Sequence, residues 1–291
     1  MKCLLPLFAA ALAWTAPVAA QEAPATGAAA QADFAPTRTV QLPVSASRST
    51  ELTIWEPENP RGVALFSTGF GGWPEAYPQL AETLVEDGFV VLAPEHVDSQ
   101  HYAGDGDFTP QQAFMERLAD VRGTAAYIGE NYPDLPLVAV GHSFGSLISM
   151  IEGGALSDMI PMQNPDVKAV LAFSSPGKVP GLVTDGSYAT LTSPLLVVTG
   201  TADTVDTGMG YEMLPADHLF PVETSGAAAY GLVIDGGDHS LVANSDDLEA
   251  ALPAIDLFLK GYVLGDADAV AALRDWQAPE GDRFIVHEAA Q

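Results

Sequence analysis

Gly141-His142-Ser143-Phe144-Gly145 constrains this chain more than any other stretch. It follows an apolar run, Leu135 to Val140, and precedes Ser146 to Ile151, which reads as a helix. Strand, sharp turn and helix, with a glycine two residues to either side of a serine, describe an elbow that lifts the serine hydroxyl clear of the backbone. Glycine at those positions removes the Cβ atoms that would collide with the neighbouring strand and helix. The helix start behind Ser143 presents backbone N–H groups to a developing oxyanion. Ser143 is therefore the expected nucleophile.

The flanking chain alternates apolar runs with amphipathic stretches. Thr39–Val44 and Glu51–Trp55 predict an antiparallel hairpin, while Val63–Phe66, Phe89–Ala93, Lys168–Phe173, Leu195–Thr199 and Tyr230–Ile234 predict buried strands. A helix is expected over 75–87, with Tyr77, Leu80 and Leu84 on one stripe. Another opens at Thr109 with Pro110 at its first position and Gln112 closing a capping box. Its stripe is Phe114, Leu118, Val121, Ala125 and Ile128. Leu248, Leu252, Ile255, Leu259 and Tyr262 mark a closing helix that kinks or starts at Pro253. The expected class is α/β: a mostly parallel twisted sheet with helices on both faces.

A serine hydroxyl needs a base to take its proton, and the base needs an acid to orient it. In this architecture both follow later strands, in the order Ser, acid, His. Asp203 stands just after the strand Leu195–Thr199, and His239 just after the strand Tyr230–Ile234. His239 is the expected base and Asp203 the expected acid, with Asp206 as the alternative. Asp235 and Asp238 are too close in sequence to reach the ring of His239. Among the other histidines, His96 and His101 precede Ser143, and His142 adjoins it with its side chain expected to point elsewhere. His218 falls between the acid and the last strand, and His287 lies in the tail. The expected oxyanion donors are the N–H groups of Phe144 and of Phe70, the latter on the glycine-rich loop Ser67 to Trp73.

Phe66 to Gly72, Phe89 to His96 and the Ser143 pentapeptide together resemble the dienelactone-hydrolase-like branch of the α/β-hydrolases. That branch is similar to platelet-activating-factor acetylhydrolases and cutinase-like polyester hydrolases. The resemblance spans about residues 50–262 and implies the α/β-hydrolase fold, hydrolysis of carboxylic esters through an acyl-enzyme, and no cofactor. The chain departs from the pattern at Thr68, where the family usually has His, and at Ser146, where Gly or Ala is common. Dienelactone hydrolases proper use a cysteine nucleophile, so a serine here argues against a dienelactone substrate. In the acetylhydrolases the acid follows an earlier strand. The matching stretch Ala172 to Pro176 has no carboxylate, which favours Asp203.

Trp73, Tyr77 and Tyr102 are the expected lining of an acyl pocket, with a helix-core role as the alternative for Tyr77. His96, Asp98, His101, Asp105 and Asp107 share one loop, read as the solvated rim of the site, with a metal cluster as the alternative. Residues 152–166 and 176–193 are long connections that either cover the site or run over the surface. The substrate is expected to be a small-molecule or polymeric ester. A peptidase or amidase of the same fold, or a binding protein on the same scaffold, are the other readings.

Lys2, the apolar run Cys3–Trp14 and the small-x-small triplet Val18-Ala19-Ala20 read as a signal peptide over residues 1–20. Cleavage near Ala20/Gln21 would give a secreted or periplasmic protein. Residues 21–36 read as a disordered lead-in, and 37–291 as one domain. The apolar run is too short for stable membrane insertion. Cys3 is the only cysteine, so no disulfide is expected after cleavage. A net charge of −27 disfavours nucleic acid and anionic membrane surfaces as partners. Nothing in the sequence specifies an oligomeric state.

Overall fold

Six apolar runs lie side by side as parallel strands: β3 (Gly62–Ser67), β4 (Phe89–Pro94), β5 (Leu137–His142), β6 (Val167–Phe173), β7 (Leu195–Gly200) and β10 (Ala229–Ile234). Strands buried on both faces carry continuous apolar sequence because both faces must be covered. β3, for example, sends Val63 and Leu65 into one core and Ala64 and Phe66 into the other. The computed structural model describes residues 34–289 apart from 105, 208–210 and 244. The expected signal peptide and its cleavage point lie outside the described residues.

The hairpin β1 (Arg38–Pro43) and β2 (Ser49–Trp55) extends one edge antiparallel, and β11 (Arg283–His287) closes the other edge antiparallel to β10. The sheet runs β1-β2-β4-β3-β5-β6-β7-β10-β11 among the described residues. A separate two-stranded ribbon, β8 (Val205–Asp206) with β9 (Glu212–Met213), stands outside it.

Helices cover both faces. On one face α2 (Pro110–Asn131) and α3 (Phe144–Glu152) contribute Leu118, Val121, Leu147 and Ile148 to the core. On the other, α1 (Pro78–Glu86), α5 (Ser245–Phe258) and α6 (Ala267–Asp275) contribute Leu80, Leu84, Ile255 and Leu273. α4 (Phe220–Thr224) is a short helix before β10. The capping box forms as expected, with Thr109 and Gln112 each bonding the other's backbone N–H.

Two segments differ from expectation, and at Pro253 one of two expected alternatives drops out. The helix expected over 75–87 is split by Tyr77 into a 3-10 turn, Pro74–Ala76, and α1. Each piece opens on a proline, which suits the first turn of a helix but not its interior. Pro253 lies inside α5 and does not start it. Phe34, in the segment expected to be a disordered lead-in, packs on the core, and its carbonyl accepts a hydrogen bond from Trp55 Nε1 at 3.3 Å. The connections 152–166 and 176–193 are held to each other, as by Leu156 N–H to Ser187 O at 2.8 Å, and bury Leu156, Val179, Tyr188 and Leu191.

Candidate active site

The elbow has the geometry its glycines require. Ser143 sits at φ 52°, ψ −122°, between β5 and the first turn of α3. That left-handed backbone is costly for a residue with a side chain and persists only where the surroundings enforce it. A Cβ on Gly145 would lie 2.0 Å from the Ser67 carbonyl oxygen, so only glycine lets α3 pack against the end of β3. Ser146, the departure noted above, turns its hydroxyl back to the Ser143 carbonyl at 2.6 Å.

Asp203 and His239 come from different loops that touch through backbone. Gly200, at the end of β7, packs so tightly on Gly237 that a Cβ would fall 1.9 Å from the Gly237 oxygen. Ala202 N–H then bonds that same oxygen at 3.0 Å. The result is a continuous chain of hydrogen bonds. Ser143 Oγ–H donates to His239 Nε2 at 3.0 Å, and His239 Nδ1–H donates to Asp203 Oδ1 at 2.8 Å. Thr199 Oγ1 donates to Asp203 Oδ2 at 2.7 Å. Burial raises the Asp203 carboxyl, but the hydrogen bonds from His218 and His239 override this and hold it well below the usual carboxylate range. Asp206, the alternative acid, lies on β8 with an exposed side chain.

The glycine-rich loop lies beside the elbow. Gly69 N–H bonds Tyr77 Oη at 3.0 Å, Gly71 N–H bonds Asp98 Oδ2 at 3.3 Å, and Gly72 N–H bonds the Gly69 carbonyl at 3.1 Å. Phe70 N–H lies between these occupied amides, and Phe144 N–H is at the open start of α3. Their rings meet edge-on with centroids 6.4 Å apart, and Phe114 from α2 stands 5.9 Å from Phe144. Phe114, expected only as part of a core stripe, is partly exposed on this aromatic wall.

Tyr77 corrects an expectation. It is buried behind the loop and does not line a pocket. Its hydroxyl accepts from Gly69 N–H and donates to His142 Nδ1 at 3.1 Å. The opposite nitrogen of His142, Nε2–H, donates to the His239 carbonyl at 2.9 Å. Burial drives the His142 pKa down to about 3, so the ring is neutral and the relay has one direction. His142 thus points away from Ser143 and ties the oxyanion loop to the His239 loop. Trp73 stacks on His101, centroids 4.1 Å apart, and Tyr102 meets Phe108 edge-on at 6.2 Å; all four are at least partly exposed.

The loop after β4 is not a solvated rim at its start. His96 is fully buried, accepting from Ser67 Oγ at 2.9 Å and donating from Nδ1 to Asp120 at 2.9 Å. Burial keeps it neutral. Asp98 pairs with Arg117 of α2, which also bonds the carbonyls of Thr68 at 2.6 Å and Gly69 at 2.8 Å and lies over the Phe144 ring. Asp105 lies outside the described residues. Arg117 is not among the expected catalytic, oxyanion or pocket residues, although a cation at helical spacing between Phe114 and Val121 on the apolar stripe is a readable sign of a buried partner.

His218, set aside on sequence order, reaches the same acid. Its Nε2 lies 3.1 Å from Asp203 Oδ1 and 3.0 Å from the Asp203 carbonyl, and its Nδ1 meets the Ser175 carbonyl. Asp203, His218 and His239 bring ligand-type atoms within 4.8 Å of one another. They do not suit a metal ion, because both ring nitrogens of His218 face oxygens that only accept, which leaves no lone pair.

Comparison with known proteins bears on the fold and on part of the sequence. A protein-family model described as "Serine aminopeptidase, S33" matches residues 58–178, which include Ser143 but neither Asp203 nor His239. The mouse (Mus musculus) monoglyceride lipase is 28% identical over 127 residues, 40% of this chain and 41% of the lipase. A monkeypox virus monoglyceride lipase homolog is 26% identical over 42% of this chain and 41% of its own length. The chain therefore matches only about two fifths of the length of these two relatives. A monoacylglycerol lipase of Mycolicibacterium smegmatis is 25% identical over 72% of this chain and 82% of its own. Among solved structures, a carboxyl esterase from Bacillus coagulans in complex with glycerol superposes with a TM-score of 0.59 at 15% identity, covering 77% of this chain and 97% of the esterase. A Klebsiella pneumoniae protein named as a candidate dienelactone hydrolase gives 0.56 at 17% identity, covering 79% and 98%. The chain has the α/β-hydrolase fold.

Proposed function

We propose that this chain is an exported serine hydrolase that cleaves carboxylic esters. The observation that carries the reading is the single line of hydrogen bonds from Ser143 Oγ through the His239 ring to Asp203, begun at a strained elbow. Ser143 attacks the ester carbonyl while His239 Nε2 takes its proton. Asp203 fixes the Nδ1–H tautomer and stabilises the imidazolium that forms. The N–H groups of Phe70 and Phe144 receive the oxyanion, since the other glycine-loop amides named above already have partners. His239 returns its proton to the leaving alcohol, and water activated by the same ring releases the acid from the acyl-enzyme. No cofactor is required. Phe70, Phe144 and Phe114 offer an apolar wall for the acyl chain, with Trp73 and Tyr102 nearer the mouth.

The named activities of the relatives make monoacylglycerols a first natural substrate to test, beside small and polymeric esters. The proposed export rests on the segment 1–20 alone. The test is a chain-length series of p-nitrophenyl esters and monoacylglycerols, followed by a polyester film, with Ser143→Ala as the control. Hydrolysis by the native chain that is lost in Ser143→Ala supports the reading. Turnover that survives in Ser143→Ala would overturn it. The serine-aminopeptidase description of the matching family model favours amide cleavage as a second reading. Amino-acid p-nitroanilides turned over faster than the matching esters would establish that reading in place of the first.

A further inference from the structure

Both ring nitrogens of His218 point at oxygens that cannot donate. Nδ1 meets the Ser175 carbonyl, and Nε2 meets the Asp203 carbonyl at 3.0 Å and Asp203 Oδ1 at 3.1 Å. A neutral imidazole carries one N–H and one lone pair, so either tautomer would aim a lone pair at an oxygen lone pair at a buried position. His218 has no exposed surface, so no solvent intervenes. The arrangement is satisfied only when both nitrogens carry protons.

We propose that His218 is a constant imidazolium that clamps the Asp203 carboxylate and sets the acidic edge of the pH range in which Ser143 is activated. This rests on the reading of Ser143, His239 and Asp203 given above. Asp203 is then a buried carboxylate with three donors: His239 and His218 on Oδ1, Thr199 on Oδ2. A bare carboxylate beside His239 favours protonation of that ring, and a protonated base cannot accept the Ser143 proton. The positive charge of His218 offsets that pull. His218 is a positioning residue: it touches Asp203 and stands 6.1 Å from the His239 ring, centroid to centroid, without reaching Ser143.

Among the described residues, the titratable groups around His218 other than Asp203 are neutral or turned away from it. His218 sits on the turn Asp217–Leu219, against β7 and α4. The titratable groups facing it are Asp203, His239 and, beyond His239, the neutral His142. Asp217 turns its carboxylate to Leu214 N–H, Glu223 on α4 is exposed, and Lys178 lies over the Phe220 ring on the outer side. Burial alone would lower the His218 pKa, but the hydrogen bond and charge of Asp203 and the two carbonyls outweigh it, and the net direction is upward.

Two measurements test this. The first is nitrogen-resolved imidazole NMR of the full, unsubstituted chain. His218 should show both ring nitrogens protonated from about pH 5 to about pH 8, beyond the range of a free histidine. A neutral tautomer of His218 at pH 7 would overturn the proposal. The second is the pH profile of kcat/KM for His218→Gln, which keeps a donor and removes the charge. With unit charges about 6 Å apart at an effective dielectric near 20, the acidic limb should move up by about one to two pH units. A uniform loss at every pH, with the limb in place, would mean His218 only packs, and would also overturn the proposal. If His218→Gln does not fold, the NMR result on the native chain decides alone. Absence of ester turnover in the native chain would defeat the proposed function instead, and the protonation of His218 would still be read directly.

Discussion

Arg117 grips Asp98 through two hydrogen bonds, Nε to Oδ1 at 2.8 Å and Nη2 to Oδ2 at 2.7 Å, and both side chains are almost cut off from water. The same guanidinium holds the carbonyls of Thr68 and Gly69. One cation on α2 therefore fixes the loop that carries Phe70 N–H. Arg117→Ala leaves Asp98 buried without its partner and should destabilise the fold by about 3–5 kcal/mol. Arg117→Lys keeps the charge but cannot form the fork. It should fold and should lower kcat for ester hydrolysis by about tenfold or more, as expected when an oxyanion donor moves. Denaturant unfolding and steady-state kinetics on both variants check this; an Arg117→Lys protein with unchanged kcat would separate the loop's position from catalysis.

Tyr77 and His142 form the second support of that loop. Tyr77→Phe removes the hydroxyl between Gly69 N–H and His142 Nδ1 and leaves both without a partner inside the fold. The expected cost is about 1–3 kcal/mol, the usual penalty for an orphaned buried group. Because His142 also holds the His239 carbonyl, kcat should fall more than KM rises. Equal stability of Tyr77→Phe and native protein in a urea titration would remove this relay from the account.

Asp203 and Asp206 are separated by two residues and opposite surroundings. Asp203→Asn should cut kcat by about 10⁴-fold, because an amide at that site can present its NH2 to the ring and favour the wrong tautomer. Asp206→Asn, on the exposed ribbon strand, should stay within about threefold of native, as most exposed substitutions do. Asp203 also links stability to pH. Its folded pKa is depressed, so its contribution is present above the unfolded carboxyl value and is lost as pH falls below it. Native protein should therefore lose more stability on acidification than Asp203→Asn does.

The elbow, the six parallel strands and the order of Ser, acid and His were legible because each is a local pattern: an apolar run, a glycine pair, a residue just past a strand. α6 and β11 are not among the elements expected from the sequence. β11 is a half-exposed edge strand without a fully apolar run, and its place depends on β10 being available beside it. The supporting residues were harder still. His218, Arg117 and Tyr77 act through partners 15, 19 and 65 positions away in sequence, and no periodicity encodes such pairings. For Tyr77 the sequence leaves a pocket wall and a core role both open, because an aromatic beside a glycine-rich loop suits either. Only the position of its hydroxyl separates them.

Glu152 is the last residue of α3, at the end away from Ser143, and is fully buried. Its Oε2 has no hydrogen-bond partner among the described residues. Burial alone pushes its pKa from 4.5 up to about 8. The sign follows directly. The folded state keeps this proton while the unfolded chain releases it, so stability is greatest below the unfolded value and declines as pH rises through the folded one. Glu152→Gln has nearly the same shape and no proton to lose. The variant should match the native protein near pH 4.5 and exceed it at pH 8 by several kcal/mol, since each unit between the unfolded and folded values is worth about 1.4 kcal/mol. Ester hydrolysis should be unchanged, because the side chain touches neither the elbow nor the loops beside it. Thermal unfolding of both proteins across that interval is the measurement. A constant difference at every pH would mean that Glu152 ionises in the folded state as freely as in water.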